Sequence, residues 1–422
     1  PTLVRLYKAL LTSRLDYGIV AMESARATRL NKIDTLYNRG LRIALGAYRT
    51  SPIDSLYAIA GILPPWRHRM VKRKQYFLRL AATPHHRLHD LGMQKLGDIG
   101  EIPITKRTFP ATPPWTYPTI SFRTDLPNYK KEDTPPYTYI SSFLSIIDEY
   151  PSEAIYYTDG SKTENGTGCA IFYEGDSHQL PLHDAATIYT AEITAIKEAL
   201  TMHTEAGNRR NVIICTDSMS AVQALGNPIT YNPTITDIYD LIRDLANRDI
   251  RTTIIWIPSH TGIAGNEAAD EAAKIAAEST TELDPTPIRW EDVKRLIKRS
   301  YLEKWQQDWE RTTGKLRAVK SNIKPWIWES DMGRKENVIL TRIRIGHTRL
   351  TQAYLLLGEY PPICSCGEDL TVEHLLMECP NHRDARARHQ IVGELAELLK
   401  PGSEKLPKLM IFLKETGNYY HL

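Results

Sequence analysis

The sequence has little net charge, few cysteines and no long apolar run. The formal net charge is +3, so any surface for nucleic acid must come from local clusters of Lys and Arg. No apolar run reaches about 18 residues, so we expect no membrane span. No secretory signal opens the chain, and its five cysteines are too sparse for a disulfide framework. This cysteine usage suits a reducing compartment.

The chain has 422 residues, too many for one hydrophobic core, and it starts without Met. We expect several domains and a piece of a longer protein. Hydrophobic periodicity and composition predict five regions. They are a helical region at 1–100, a linker or irregular wrap at 101–151 with nine prolines, an α/β domain at 152–280, a basic helical region at 285–358, and a Cys/His segment with a last helix at 359–422.

The helical region contains a basic stretch, "WRHRMVKRKQYFLRL". Its basic residues are Arg67, Arg69, Lys72, Arg73, Lys74 and Arg79. Two interpretations stay open here, a solvated basic helix face and a surface that follows a phosphate backbone.

The region 152–280 alternates strand-like runs with helical ones. Three runs with short turns, "EAIYYTDGS", "TGCAIFYEG" and "HQLPLHD", predict an antiparallel meander. "NVIICTDS" is continuously apolar, as in a central strand covered on both faces, and "RTTIIWIPSH" is a further strand. With the helices between them, these runs predict a mixed α/β sheet.

Four acids of this region draw attention by their positions. Asp159 and Asp217 each end an apolar strand, and they will lie side by side if the two strands are parallel. Glu192 falls on the inward-facing stripe of a helix, where an acidic side chain is rarely found unless it has a partner. Asp270 lies in what we expect to be the first turn of a helix, where an acid also complements the helix dipole.

Carboxylates that converge on one spot repel one another. At ~4 Å and an effective dielectric near 20, each pair costs about 4 kcal/mol. Such a cluster persists by protonation or by binding divalent cations, and oxygen ligands favour Mg²⁺ or Mn²⁺. Two such ions can activate water and stabilise the leaving oxygen of a phosphodiester.

A histidine precedes the last of these acids. His260 lies in "WIPSHTGIAGNEAAD", and we expect Gly262 and Gly265 to make that loop mobile. A histidine on a mobile loop can carry a proton to or from a leaving group. The alternative is an ordinary loop histidine.

The sequences "YTDGS", "TAE", "TDS" and "WIPSHTGIAGNEAAD" together resemble the type 1 ribonuclease H family. The resemblance implies a five-stranded mixed sheet flanked by helices, with two Mg²⁺ or Mn²⁺ ions held by Asp159, Glu192, Asp217 and Asp270. It implies hydrolysis of the RNA strand of RNA–DNA hybrids, with His260 as the loop histidine. We expect Gly160 to let the backbone approach the RNA, and Gly160 and Ser161 to donate N–H groups near the 2′-OH.

This chain departs from the family just before the helix acid. Cellular members often carry Asn and a second amide residue there, whereas this chain has "TIYTAE".

The flanking regions resemble the C-terminal half of a non-LTR retrotransposon reverse transcriptase polyprotein. Under that resemblance, residues 1–100 correspond to the thumb and connection downstream of a polymerase. No pair of adjacent aspartates occurs, so the polymerase active site is absent and its upstream portion is an expected partner.

The C-terminal segment "CSCGEDLTVEHLLMECP" combines Cys364, Cys366, His374 and Cys379. Three thiolates and one imidazole suit a closed tetrahedral Zn²⁺ site, with His382 as a possible replacement ligand. The alternative is free cysteines beside a core histidine. The motif resembles a zinc knuckle that holds nucleic acid, with Arg383, Arg386 and Arg388 as phosphate contacts.

Two further functions stay open at this point. One is a catalytically inactive nucleic-acid-binding remnant or scaffold, against which the presence of all four acids argues. The other is a two-metal nuclease or integrase that acts on DNA.

Overall fold

The computed structural model describes residues 2–22, 25–97, 104–107, 112–126, 134–230, 232–279, 288–326 and 331–422. They form two compact units, one of Pro1–Lys74 with Ile297–Leu422 and one of Gln75–Leu296. The predicted boundaries at 100, 280 and 285 lie outside the described residues, as do parts of the proline-rich segment.

A mixed six-stranded sheet organises the second unit. Its strands are β1 (Ser121–Arg123), β2 (Ala154–Lys162), β3 (Thr167–Tyr173), β4 (Asp176–Leu182), β5 (Val212–Thr216) and β6 (Thr252–Trp256). They lie in the order β1-β6-β5-β2-β3-β4. The pairs β2–β3 and β3–β4 are antiparallel, and β2–β5, β5–β6 and β1–β6 are parallel. The predicted meander and the mixed α/β sheet are confirmed.

Helices make up most of the remaining structure. In chain order they are α1 (Thr2–Leu6), α2 (Ser13–Tyr17), α3 (Ala27–Leu45), α4 (Ile53–Ala60), α5 (Pro65–Ala81), α6 (His89–Leu96), α7 (Pro136–Ile147), α8 (Ile188–Glu205), α9 (Met219–Leu225), α10 (Pro233–Ala246), α11 (Ala264–Glu278), α12 (Trp290–Glu310), α13 (Lys315–Val319), α14 (Arg334–Ile345), α15 (Arg349–Gln352), α16 (Tyr354–Leu357), α17 (Arg383–Arg388), α18 (Leu395–Leu399) and α19 (Lys405–Glu415). Tyr7–Thr12 and His374–Glu378 are π-helical. The N- and C-terminal regions are mostly helical, as predicted.

Short-range chemistry fixes the hairpin between β3 and β4. Its two turn residues, Glu174 and Gly175, have φ of +49° and +95° between the paired Tyr173 and Asp176. Two positive φ values are the requirement of a type I′ turn, whose twist matches that of the strands.

Both faces of the sheet are covered. Ile214 and Ile254 pack with α8, α9 and α10, whereas their neighbours Ile213 and Ile255 pack with α7. Side chains alternate along a strand, so burial on both faces produces the continuous apolar runs seen in the sequence.

The sixth strand comes from the proline-rich segment. The resemblance implied five strands, but Ser121–Arg123 adds a parallel edge strand beside β6. The same segment supplies α7, whose Phe143 and Ile146 are buried against the sheet. The described part of this segment therefore belongs to the sheet domain's packing.

The part of the basic stretch on α5 that lies in the first unit is partly neutralised by acids of the same unit. Arg69 pairs with Asp34, Arg67 pairs with Asp308, and the Lys72 ammonium lies 3.7 Å from Asp16. These three cations favour the structural interpretation of this helix face over the phosphate-following one. No helix in the described part of the chain has the length and apolar character that a bilayer crossing requires.

Candidate active site

Asp159 and Asp217 are neighbours because the strands that carry them run in parallel. The pairing of β2 with β5 ends at Thr158 and Thr216, so each aspartate is the first residue beyond the paired stretch. The expectation that Asp159 ends its strand is wrong, because β2 continues to Lys162 in its pairing with β3. The two carboxylates still lie at the edge where parallel strands leave room for a ligand.

Glu192 is brought to the same place by α8. The helix begins after Thr187, whose hydroxyl accepts a 3.3 Å hydrogen bond from the Thr190 N–H. Glu192 follows half a turn later and is only 6% exposed. One carboxylate oxygen from each of Asp159, Glu192 and Asp217 lies within 4.8 Å of the other two. Three of the four predicted acids therefore form one cluster.

Gly160 allows this approach of helix and strand. A Cβ at Gly160 would lie 2.7 Å from the Glu192 nitrogen and 2.8 Å from the Ala191 Cβ. Gly160 is buried, and α8 therefore occupies the space in which RNA was expected to approach the backbone. Ser161 is half-buried and lies opposite Gly168 on β3.

Burial and mutual repulsion raise the pKa of two of the acids. Burial, followed by the charges of Asp159 and Asp217, raises the pKa of Glu192 to about 9. Burial, followed by the charges of Asp217 and Asp270, raises the pKa of Asp159 to about 7. The backbone hydrogen bond from Gly160 lowers both pKa values and offsets only part of these effects.

The cluster fits a hard divalent cation. Its donors are carboxylate oxygens, and the Oε2 atom of Glu192 is buried with no hydrogen-bond partner among the described residues. A buried unpaired carboxylate oxygen is costly, and a bound cation would supply both the missing partner and the opposing charge. Carboxylate ligands suit Mg²⁺ or Mn²⁺.

Asp270 lies beside this cluster rather than inside it. The negative charge of Asp270 contributes to the raised pKa of Asp159. The Asp270 Oδ2 atom, however, is 2.6 Å from the Lys274 ammonium. The expectation that Asp270 occupies the first turn of its helix is wrong, because α11 already begins at Ala264. The helix dipole therefore does not explain Asp270, since that effect is confined to the first turn.

His260 is exposed and faces two acids. Its Nδ1 atom lies 3.9 Å from the Asp270 Oδ2 and 4.0 Å from the Glu267 Oε2, and 65% of its side chain is accessible. Its φ of +52° is unusual for a non-glycine residue. The side chain is thus near the acids and free to change its rotamer.

Glu267 is a site residue that the sequence analysis missed. It groups with His260 and Asp270, and its Oε1 accepts a 3.2 Å hydrogen bond from the Gly262 N–H. Gly265, expected to loosen the loop, lies in α11, where a Cβ would come within 2.3 Å of the Tyr157 ring. Its role is close packing.

Asp292 is a second missed residue. It is 2% exposed and accepts hydrogen bonds from the hydroxyls of Thr187 at 3.0 Å and Thr190 at 2.5 Å. These threonines begin the helix of Glu192. The only sequence indication was the stretch "TIYTAE" before the helix acid, and it did not identify the acid that these threonines contact.

All four predicted ligands of the Cys/His segment come together. The Sγ atoms of Cys364 and Cys379 are 3.6 Å apart, and the Cys366 Sγ lies 3.2 Å from the His374 Nε2. Tetrahedral Zn²⁺, with bonds of about 2.3 Å to sulfur and 2.0 Å to nitrogen, places its ligands about 3.5–3.8 Å apart. The set therefore fits Zn²⁺.

Local contacts support this cluster. A hydrogen bond from the Cys366 backbone is the main cause that lowers the pKa of Cys364 to about 6, which favours the thiolate that binds metals. The Nδ1 atom of buried His374 lies 3.8 Å from Glu378. His382 instead packs edge-on against Phe412 and does not join the cluster.

The three arginines predicted to contact phosphate differ in how accessible and how free of ion pairs they are. Arg388 is exposed but pairs with Glu415, and Arg386 has a buried Nη1 atom. Arg383 is exposed.

A mixed sheet with acids gathered at the ends of its parallel strands defines an α/β fold with a site that could hold a metal ion. A sequence profile described as RNase H matches residues 151–278. Ribonuclease H of Tropheryma whipplei (strain Twist) is 32% identical over 146 residues, which cover 30% of this chain and 85% of that protein. The chain therefore belongs to the ribonuclease H family, through this domain.

Viral polyproteins show a similar match. The Pol polyprotein of equine infectious anemia virus (strain Wyoming) is 33% identical over 152 residues, 35% of this chain and 12% of that protein. The Pol polyprotein of caprine arthritis encephalitis virus (strain Cork) is 30% identical over 131 residues, 30% of this chain and 11% of that protein. The chain thus spans about an eighth of the length of these relatives.

Proposed function

We propose that this chain is a ribonuclease H that hydrolyses the RNA strand of RNA–DNA hybrids with divalent cations. The observation that carries the proposal is the cluster of Asp159, Glu192 and Asp217, with the buried and unpartnered Oε2 of Glu192. An acidic cluster of this kind is unfavourable without a cation, and it lies in a domain of the ribonuclease H family.

Each site residue has a role under this proposal. Asp159, Glu192, Asp217 and Asp270 would hold two Mg²⁺ or Mn²⁺ ions, and these ions would lower the pKa of a water molecule and stabilise the leaving oxygen. His260 moves a proton to or from the leaving group, for which its exposure and free rotamer suit it. Of the two residues expected to contact the RNA near its 2′-OH, only the half-buried Ser161 keeps that role, because Gly160 is buried against α8.

The Cys/His segment is proposed to bind one Zn²⁺ through Cys364, Cys366, His374 and Cys379. Its geometry suits a closed structural site, with Arg383 the exposed arginine nearest in sequence for contact with phosphate. The site would connect the π-helical turn at His374–Glu378 to the loop before it.

The setting is proposed to be a retrotransposon reverse transcriptase polyprotein of the non-LTR class. Similarity to viral Pol polyproteins supports a reverse-transcribing context. Residues 1–100 would be a thumb and connection, 285–358 a basic helical region and 359–422 a zinc-knuckle segment, whereas the described part of 101–151 packs with the sheet domain and is not proposed as a linker. The ribonuclease would then remove the RNA template after synthesis by the upstream polymerase portion.

The deciding experiment is cleavage of an end-labelled RNA–DNA hybrid by the purified chain, with and without Mg²⁺. We expect Mg²⁺-dependent cuts in the RNA strand only, and loss of these cuts in Asp217→Asn. If wild type cuts no better than this variant, the chain is a nucleic-acid-binding remnant. Preferential cleavage of duplex DNA would instead indicate a DNA nuclease on the same fold.

A further inference from the structure

The fourth acid of the site already has a cation. Lys274 lies one helical turn after Asp270 on α11, and its Nζ is 2.6 Å from the Asp270 Oδ2. The same Asp270 oxygen faces the His260 ring at 3.9 Å. Asp270 also stands outside the group formed by the other three acids.

An exposed ion pair at this spacing stabilises a helix by only about 0.3–0.5 kcal/mol. The two partners differ in freedom, since 54% of the Lys274 side chain is exposed but only 18% of that of Asp270. The ammonium can therefore leave by rotation into solvent, whereas the carboxylate stays beside the cluster.

We infer that Lys274 is a competing cation, which occupies Asp270 in the metal-free protein and must move away before a divalent ion uses that carboxylate. Lys274 would thereby set the metal concentration at which the fourth ligand engages. The inference rests on the proposed function and assigns a role to a residue that is not itself a ligand.

Electrostatics gives the direction of the effect. A positive charge about 5 Å from a divalent ion weakens its binding, by about 1–2 kcal/mol even in a water-like dielectric. Removing that charge should tighten binding at the nearby site about tenfold. Arginine keeps the charge and the reach, so it should preserve the competition.

The test is titration of the full chain with Mn²⁺ alone, without nucleic acid, followed calorimetrically. We expect Lys274→Met to bind Mn²⁺ about tenfold more tightly than wild type with unchanged stoichiometry, and Lys274→Arg to match wild type. Lys197→Met is the matched control. Lys197 is a partly exposed lysine on α8 whose ammonium lies 3.6 Å from Glu198 and 3.9 Å from Asp237, and its loss should leave affinity unchanged.

Equal or weaker Mn²⁺ binding by Lys274→Met, with wild type binding normally, would overturn the competition and leave the proposed nuclease intact. Absence of Mn²⁺ binding in wild type, with no difference from Asp159→Asn, would overturn the metal site and the competition together. A parallel fall in the Mg²⁺ concentration for half-maximal hybrid cleavage would support the inference.

Discussion

Two groups of side chains in the described residues that could hold a metal ion, the acidic group and the Cys/His group, are assembled by the fold in opposite ways. The acidic group combines Asp159 of β2, Asp217 directly after β5, Glu192 of α8 and Asp270 of α11, which are far apart in sequence. The Cys/His group lies within residues 364–379, in a turn and a short π-helix. One group depends on a finished sheet, and the other on a local loop.

This difference determines what supplies the free energy that holds each group together, the protein core in one case and the bound metal in the other. The sheet domain has a large apolar core that holds Asp159 and Glu192 together despite their raised pKa values. The Cys/His loop has little regular structure, so a bound metal would contribute to its folding directly. We therefore expect a metal ion to be required for catalysis in the acidic group and for folding in the Cys/His group.

Loss of a Cys/His ligand should have the largest effect on stability. We expect Cys379→Ser to destabilise the surrounding C-terminal helices by roughly 5 kcal/mol or more, because structural zinc contributes its binding free energy to folding. Limited proteolysis and zinc content of the purified chain measure this. Ser365→Ala in the same loop is the control, and equal protease resistance of the two variants would remove the structural role of the site.

Glu192→Gln should separate activity from stability in the sheet domain. We expect hybrid cleavage to fall about 10³-fold, equivalent to about 4 kcal/mol, because a metal ligand is lost. The metal-free variant should melt at a higher temperature than wild type at neutral pH. Wild-type Glu192 keeps a proton when folded that it releases on unfolding, and this release favours the unfolded state, whereas the amide has no proton to release.

The matched control for this variant is Glu198→Gln, on the same helix and beside Lys197. It should retain wild-type cleavage. A Glu192→Gln chain that cuts normally, or that melts well below wild type, would contradict the contrast between the two sites.

The metal-free sheet domain should lose stability as the pH rises. The folded-state pKa of Asp159 is raised from 3.8 to about 7, so the folded chain retains a proton that the unfolded chain has released. The contribution of Asp159 is complete below about pH 4 and falls by about 4 kcal/mol by pH 7. Glu192, whose pKa is raised from 4.5 to about 9, also loses stability from about pH 4.5, so both acids act together up to pH 7 and Glu192 alone continues towards pH 9.

Thermal melts from pH 4 to pH 9 in a chelator measure this fall, and saturating Mg²⁺ should abolish it. The double variant Asp159→Asn, Glu192→Gln should have a flatter profile. An unchanged slope in that variant would place the pH dependence elsewhere in the chain.

Asp292→Ala should have a smaller effect. It leaves the hydroxyls of Thr187 and Thr190 without their buried acceptor, at about 2 kcal/mol. We expect a lower melting temperature and reduced cleavage, because the start of the Glu192 helix loosens. Glu303→Ala, an exposed change on the same helix α12, is the control. A melting temperature equal to that of the control would exclude the anchoring role.

The core of the fold was predictable because its patterns are strong. Five strands and the helix of Glu192 carry clear periodicity, and the parallel pairing of two apolar strands brings Asp159 and Asp217 together. The edge strand Ser121–Arg123 was missed because three mixed residues show no period. The helix Pro136–Ile147 was hidden by the composition of its segment, although "YISSFLSII" is itself apolar.

The acids of the site could be predicted because their residue type and their place at a strand end or on a helix face are visible in the local sequence. Features that depend on contacts between distant elements could not be predicted. Gly160 and Gly265 were given mobile or ligand-facing roles, but each is required by a side chain or helix that packs against it. The buried partner of Thr187 and Thr190 comes from α12, and no local pattern predicts such a contact.

The register of β2 and β5 has a consequence for how this domain tolerates changes in length. One residue inserted anywhere within Val212–Thr216 would advance Asp217 by one place and turn its carboxylate to the opposite side of the sheet. An insertion at the hairpin turn of Glu174 and Gly175 would leave that alignment untouched. Length variation among homologous domains should accordingly collect at the outer hairpin and be absent from the central strand.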